Sequence, residues 1–159
     1  MKTESNVRIG PAGWSYEDWK GIIYPPGMRE HPLGLLSRLF DTVEVNSTFY
    51  RPPNPSYCAG WLRKVVSNDR FRFTLKLWRR FTHERDQPAS PEEVRLVREG
   101  LEPLVEGRCL GAVLVQFPWH FKLTAPNQAW LAGVLDTFAE LPLVVEVRHA
   151  SWNLSLIHI

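Results

Sequence analysis

The chain alternates between short apolar runs and amphipathic segments, and this alternation restricts its fold more than any other feature. Five runs have the length and the β-branched and aromatic content of strands: VRIGPAG (7–13), TVEVN (42–46), FRFTLKL (71–77), GAVLVQF (111–117) and LVVEVR (143–148). Between them lie segments of helical spacing. PLGLLSRLF (32–40) is apolar at Leu35, Leu36, Leu39 and Phe40, and SYCAGWLRKVV (56–66) at Cys58, Trp61, Leu62 and Val65. SPEEVRLVREGLEPLV (90–105) opens with Ser90 as N-cap, Pro91 at the first helical position and Glu93 three residues after the cap. APNQAWLAGVLDTFAEL (125–141) carries Trp130, Leu131, Val134, Leu135 and Phe138 on one face. Strands and helices joined by short links in this order imply parallel strands with right-handed crossovers and helices outside.

Parity within the strands separates the two sheets of this kind. In a strand, alternate residues share a face. Glu44 and Asn46 therefore oppose Val43 and Val45, and Thr74 and Lys76 oppose Phe71, Phe73 and Leu75. Gln116 opposes Val113, Val115 and Phe117; Glu146 and Arg148 oppose Val145 and Val147. Each strand has one apolar face for its helices and one that turns polar toward the carboxyl end. A (β/α)₈ barrel needs that pattern, with a packed interior and a chemically armed rim. An open sheet covered on both faces has little use for it, and GPAGWSYEDW after the first run lacks the Gly-rich dinucleotide turn. The expected fold is α/β, of the TIM-barrel type, with about the first five β/α units present.

At 159 residues, 44% apolar and 23% charged, the chain is long enough for one domain with a real core, expected over 1–159. The net charge of +2 is too small to argue for nucleic acid by itself. Cys58 and Cys109 have no metal-type spacing and sit among apolar neighbours, so buried free thiols are expected. The sequence has neither a secretory apolar region nor a run long enough to span a bilayer, and a cytoplasmic location is the default expectation. P-loop, G-x-S-x-G, C-x-x-C and H-E-x-x-H motifs are absent, as is a basic recognition helix.

Five motifs in order, GWSYEDWKGIIYPPG (13–27), VEVNSTFYRPP (43–53), FTLKL…THE (73–84), VLVQFPWHF (113–121) and VEVRHASW (145–152), make the chain resemble the YecE-like family, domain of unknown function 72. The resemblance runs from about Val7 to Trp152. It implies a TIM barrel in a bacterial-type cytoplasmic protein of unsettled activity. Members continue through three further strands, whereas NLSLIHI (153–159) matches nothing in the family and reads as an unrelated tail on a truncated chain. Pro11 stands where relatives tend to carry a small polar or thiol residue.

The candidate catalytic residues are Glu44, Glu146 and His83. Carboxylates at the carboxyl ends of barrel strands are where chemistry sits in this architecture, as acid and base or as ligands for a divalent metal. The blander reading pairs them with Lys76 and Arg148 as structural ion pairs. Asn46, Lys76, Gln116 and Arg148 are the candidate substrate-binding groups, Arg148 with the planar fork that suits phosphate or carboxylate. His83 lies in the loop after the third run. Trp14 and Tyr50 are expected to line the mouth, among aromatics that follow every strand and either pack loops or stack on a sugar or base. The expected function is that of an enzyme acting on a polar, sugar- or phosphate-bearing small molecule, by hydrolysis or isomerase-like proton transfer. The alternative is a non-catalytic module binding nucleic acid or a nucleotide on an aromatic and Arg-rich rim. Cofactor, metal dependence and oligomeric state are left open, and no membrane partner is expected.

Overall fold

The computed structural model describes residues 7–154. Four parallel strands form one sheet: β1 (Thr42–Val45), β2 (Arg72–Lys76), β3 (Leu110–Gln116) and β4 (Leu143–Glu146), in the spatial order β1-β2-β3-β4. The helices are α1 (Pro32–Leu39), a single turn α2 (Ser47–Tyr50), α3 (Pro55–Val65), α4 (Pro91–Glu106) and α5 (Ala125–Thr137). A doubly wound sheet reverses its strand order at a switch point. This one does not, and successive right-handed crossovers then place α3, α4 and α5 on one face and leave the other open.

The long helices start by one device, a polar cap followed by proline. His31 Nδ1 accepts from the Leu33 N–H, Asn54 Oδ1 from Ser56 and Tyr57, and Thr124 Oγ1 from Asn127, with Pro32, Pro55 and Pro126 in the first turns. At α4, Ser90 and Glu93 complete the expected capping box, and Glu93 also takes the Arg80 guanidinium at 2.6 Å.

The strand parity read from the sequence is that of the folded chain. Val43, Val45, Phe73, Leu75, Val113 and Val115 are fully buried beneath the helices, with Phe71, Phe117, Phe121 and Phe138. Each such side chain contributes about 1.5–3 kcal/mol relative to exposure. Glu44, Thr74, Lys76, Leu114 and Gln116 are half-buried on the opposite face. On β4 the pattern weakens: Val144 is 52% and Val145 38% exposed, so neither face of that strand is fully covered among the described residues.

One expectation needs correction. Residues 7–13 form no strand. They run beside β1 through two hydrogen bonds, Asp41 N–H to Ile9 O at 3.3 Å and Glu44 N–H to Pro11 O at 3.0 Å. Pro11 has no N–H to return, which interrupts a ladder at that residue. Gly10 allows the close approach, because a Cβ there would stand 1.8 Å from the Thr42 carbonyl oxygen. Three short 3₁₀ turns, Glu17–Trp19, Arg79–Phe81 and Ala150–Leu154, were not foreseen. Most of the supposed tail, residues 155–159, lies outside the described residues.

Candidate active site

A continuous polar row crosses the open face at the carboxyl ends of the strands. Glu44 on β1 sits 3.8 Å from the Lys76 ammonium at the end of β2. Lys76 Nζ donates to Gln116 Oε1 at 3.3 Å, and Gln116 Nε2 donates to Glu146 Oε2 at 2.6 Å. Arg148 Nε closes the row on Glu146 Oε1 at 2.7 Å. Register explains the last links, since Gln116 and Glu146 are directly paired across β3 and β4. Between β2 and β3 the pairing shifts by one residue at Gly111, so Leu114 pairs with Lys76 and Gln116 lies two residues beyond it.

The charges in this row balance, and each side chain is oriented by its neighbours. Arg148's hydrogen bond, more than any other influence, holds the Glu146 carboxyl below the usual carboxylate range. The Gln116 bond and the Lys76 charge act the same way, and burial opposes them. Glu146 is therefore an ionised base, nucleophile or electrostatic anchor at neutral pH, and poorly suited to donate a proton. Gln116 can take one orientation only, with its oxygen toward the ammonium and its amide toward the carboxylate. Three inter-strand steps of about 4.8 Å and a register offset of four residues at about 3.3 Å each set the backbones of Glu44 and Glu146 roughly 19 Å apart on a flat sheet. The carboxylates do not face each other across an empty gap, because Lys76 and Gln116 bridge them.

Lys76 is held from behind by Thr48. This buried hydroxyl, on the α2 turn, donates to the Lys76 carbonyl at 2.7 Å and lies 3.2 Å from that of Val45, tying the ends of β1 and β2 together. The sequence reading missed Thr48, and its only signal was a hydroxyl three residues past a strand end.

The remaining candidates surround the row without joining it. His83 packs edge-on against Phe49 with ring centroids 4.9 Å apart, and its Nδ1 is 2.8 Å from Thr82 Oγ1. Burial, then the charges of Arg79, His120, Arg148 and Arg85, push its imidazole below its ordinary value toward the neutral form. Asn46 donates to the Ala12 carbonyl at 3.2 Å and, with Trp14, lines a separate cleft of about 330 Å³ beside β1. Trp14 packs on Trp61 and His31. Tyr50 is 69% exposed and touches Phe49. Arg80, also in the loop after β2, is taken up by Glu93 and by the carbonyls of Glu84, Gln87 and Pro88.

The family described as Protein of unknown function DUF72 matches residues 8–155. The chain belongs to this family. The resemblance carried by the five motifs is thereby established. The UPF0759 protein YunF of Bacillus subtilis is 27% identical over 151 residues, which cover 92% of this chain and 52% of YunF. The crystal structure of a DUF72 protein from Thermotoga maritima is 32% identical, with a TM-score of 0.72 over 92% of this chain and 57% of that one. A DUF72 structure from Enterococcus faecalis is 29% identical, with a TM-score of 0.70 over 80% and 47%. The chain thus spans about half the length of the relatives it matches.

Among the described residues of this DUF72 chain, no three His, Cys, Asp or Glu side chains cluster as metal ligands would. The cation beside Glu44 is the Lys76 ammonium and the one beside Glu146 is the Arg148 guanidinium. Also among the described residues, no helix is long and apolar enough to cross a membrane.

Proposed function

We propose that the DUF72 site is that of an enzyme acting on a small polar molecule, with the row from Glu44 to Arg148 as its reaction centre. The reading rests on that unbroken row, exposed on the open face where barrel chemistry is done. Glu146 is the base or nucleophile, kept ionised by Arg148. Lys76 is the proton donor, or the cation that meets developing negative charge, with Glu44 and Gln116 fixing its position. This division of labour suits proton transfer next to an oxygen-bearing carbon, or hydrolysis of a polar bond. Because the chain spans about half the length of its relatives, the reaction proposed is that of the whole protein. A thermal-shift screen against a metabolite pool, followed by mass spectrometry of the hits, tests the reading. Lys76→Met is expected to abolish conversion of any hit while leaving the fold intact; undiminished conversion by that variant contradicts it.

A second reading, a module binding single-stranded nucleic acid, is favoured by two exposed rings, Tyr50 (69%) and Trp119 (65%), that follow β1 and β3. Its signature is oligonucleotide affinity that falls steeply with salt. Absence of binding at low salt removes it.

A further inference from the structure

Arg85 makes no ion pair within 4 Å among the described residues, and the opposing charge that acts on it is that of the adjacent Asp86. Its guanidinium carbon lies 4.7 Å from the centre of the Phe121 ring, and Nη1 donates to the neutral Asn127 side chain at 2.8 Å. Nε is buried without a partner. Arg79, Arg80 and Arg148 on the same rim are ion-paired, whereas Arg85 rests on the Phe121 ring and Asn127. The ring beneath it does not move freely. Phe121 stacks with Phe117, ring centroids 3.9 Å apart, and with Trp152 at 5.3 Å, and the Trp152 indole donates to the Phe121 carbonyl. Asn127 belongs to the first turn of α5, whose positive end adds to the local field. The aromatic packing therefore holds a half-buried guanidinium in a fixed orientation, with its Nε lacking a partner.

Other cationic groups surround the same loops. Arg79 lies 5.9 Å above the Phe49 ring that His83 meets edge-on. Arg148 follows β4, and His120 follows β3. All of them, with Arg85, act electrostatically on His83. Arg85 in the loop after β2 thus meets Phe121 and Asn127 after β3, and Phe121 in turn stacks on Trp152 after β4, so three strand-to-helix loops come together at this cation.

We infer that the loops after β2, β3 and β4 bind the phosphate of a small phosphomonoester, with Arg85 as its main partner. This deepens the proposed function, on which it rests, by assigning the substrate class: a phosphorylated polar metabolite whose reacting carbon lies over Lys76 and Glu146. Stacked arginines suit the role, because the ring occupies the guanidinium face and leaves N–H edges for a bidentate oxyanion.

Sulfate and inorganic phosphate are the probes, and calorimetry needs no turnover, so a failure here is separate from a failure of the catalytic reading. Saturable binding of sulfate, displaced by phosphate and at least tenfold weaker in Arg85→Gln, supports the site. Arg85→Lys should recover part of the affinity. No measurable sulfate binding, or unchanged affinity in Arg85→Gln, overturns it. So does a single-stranded oligonucleotide that binds with a steep salt dependence and resists displacement by sulfate, since the rim then serves a polynucleotide. If Arg85→Gln does not fold, phenylglyoxal modification of the wild-type protein decides, with peptide mass spectrometry as readout. Sulfate should slow modification of Arg85 severalfold, and equal rates with and without sulfate overturn the proposal.

Discussion

Gln116 on β3 and Glu146 on β4 are register partners, and their side chains meet in a 2.6 Å hydrogen bond on the open face of the sheet. Backbone pairing has put an amide opposite a carboxylate, and the amide's other end reaches Lys76. Gln116 is therefore the link that makes two ion pairs into one network. Gln116→Met removes two hydrogen bonds to charged groups while keeping the volume. It should lower unfolding free energy by about 1–2 kcal/mol in urea titrations, because each such bond is worth about 1.5–3 kcal/mol before solvent access is allowed for. A change below the error of the titration would show that the network contributes nothing to the fold.

The acid limb of the stability curve follows from Glu146. Its folded-state pKa lies below the ordinary value of 4.5, chiefly through Arg148. The unfolded chain therefore binds more protons between the two values. The stabilisation is complete above 4.5 and is lost as pH falls through the folded value. Glu146→Gln has no such proton to bind, so its midpoint temperature should fall less steeply below pH 4.5 than that of the wild type. Parallel curves for the two proteins would contradict this assignment.

Gly10 holds residues 7–13 against β1. Gly10→Ala drives a methyl group into the Thr42 carbonyl, a backbone atom that cannot step aside. Overpacking of this kind costs about 1–3 kcal/mol. The expected result is a loss at the upper end of that range, with faster amide exchange at Asp41 and Glu44, whose N–H groups bond to this segment. Unaltered exchange at both residues would argue against the docking.

The two thiols should differ in reactivity. Burial pushes the Cys58 thiol up to about 12, while Cys109 is only half-buried and Arg72 partly offsets the rise. Thiolate is the reactive form. At pH 8 an aromatic disulfide reagent should label Cys109 first in the native protein, and both residues equally fast in guanidinium. Faster native labelling of Cys58 would be inconsistent with the packing of α3.

Much of this was legible in the sequence, for identifiable reasons. Alternate valines in TVEV fixed which face of β1 is buried, because strand periodicity is rigid, and so Glu44, Lys76, Gln116 and Glu146 could be set on one face without coordinates. Ser90, Pro91 and Glu93 announced α4 because a capping box is local chemistry. What was not legible depends on partners distant in the chain. VRIGPAG has strand composition, yet Pro11 and the approach of Gly10 to Thr42 leave it with two bonds and no ladder. Asn46 shares the parity of Glu44, but the chain leaves the strand there and turns it toward Ala12. Arg85 drew no attention, since an arginine in a polar loop is ordinary until the Phe117–Phe121–Trp152 stack is seen beneath it.

A row on the open face that performs chemistry, in addition to closing charges, is needed for turnover as well as for the fold. Turnover of a substrate found by the metabolite screen, measured for Glu44→Gln and Glu146→Gln alongside their unfolding midpoints, tests it most directly. Both variants are expected to stay folded at the assay temperature and to lose turnover by at least a hundredfold. Full turnover in both variants, with only their stability reduced, would contradict it and leave the row as a structural salt-bridge network.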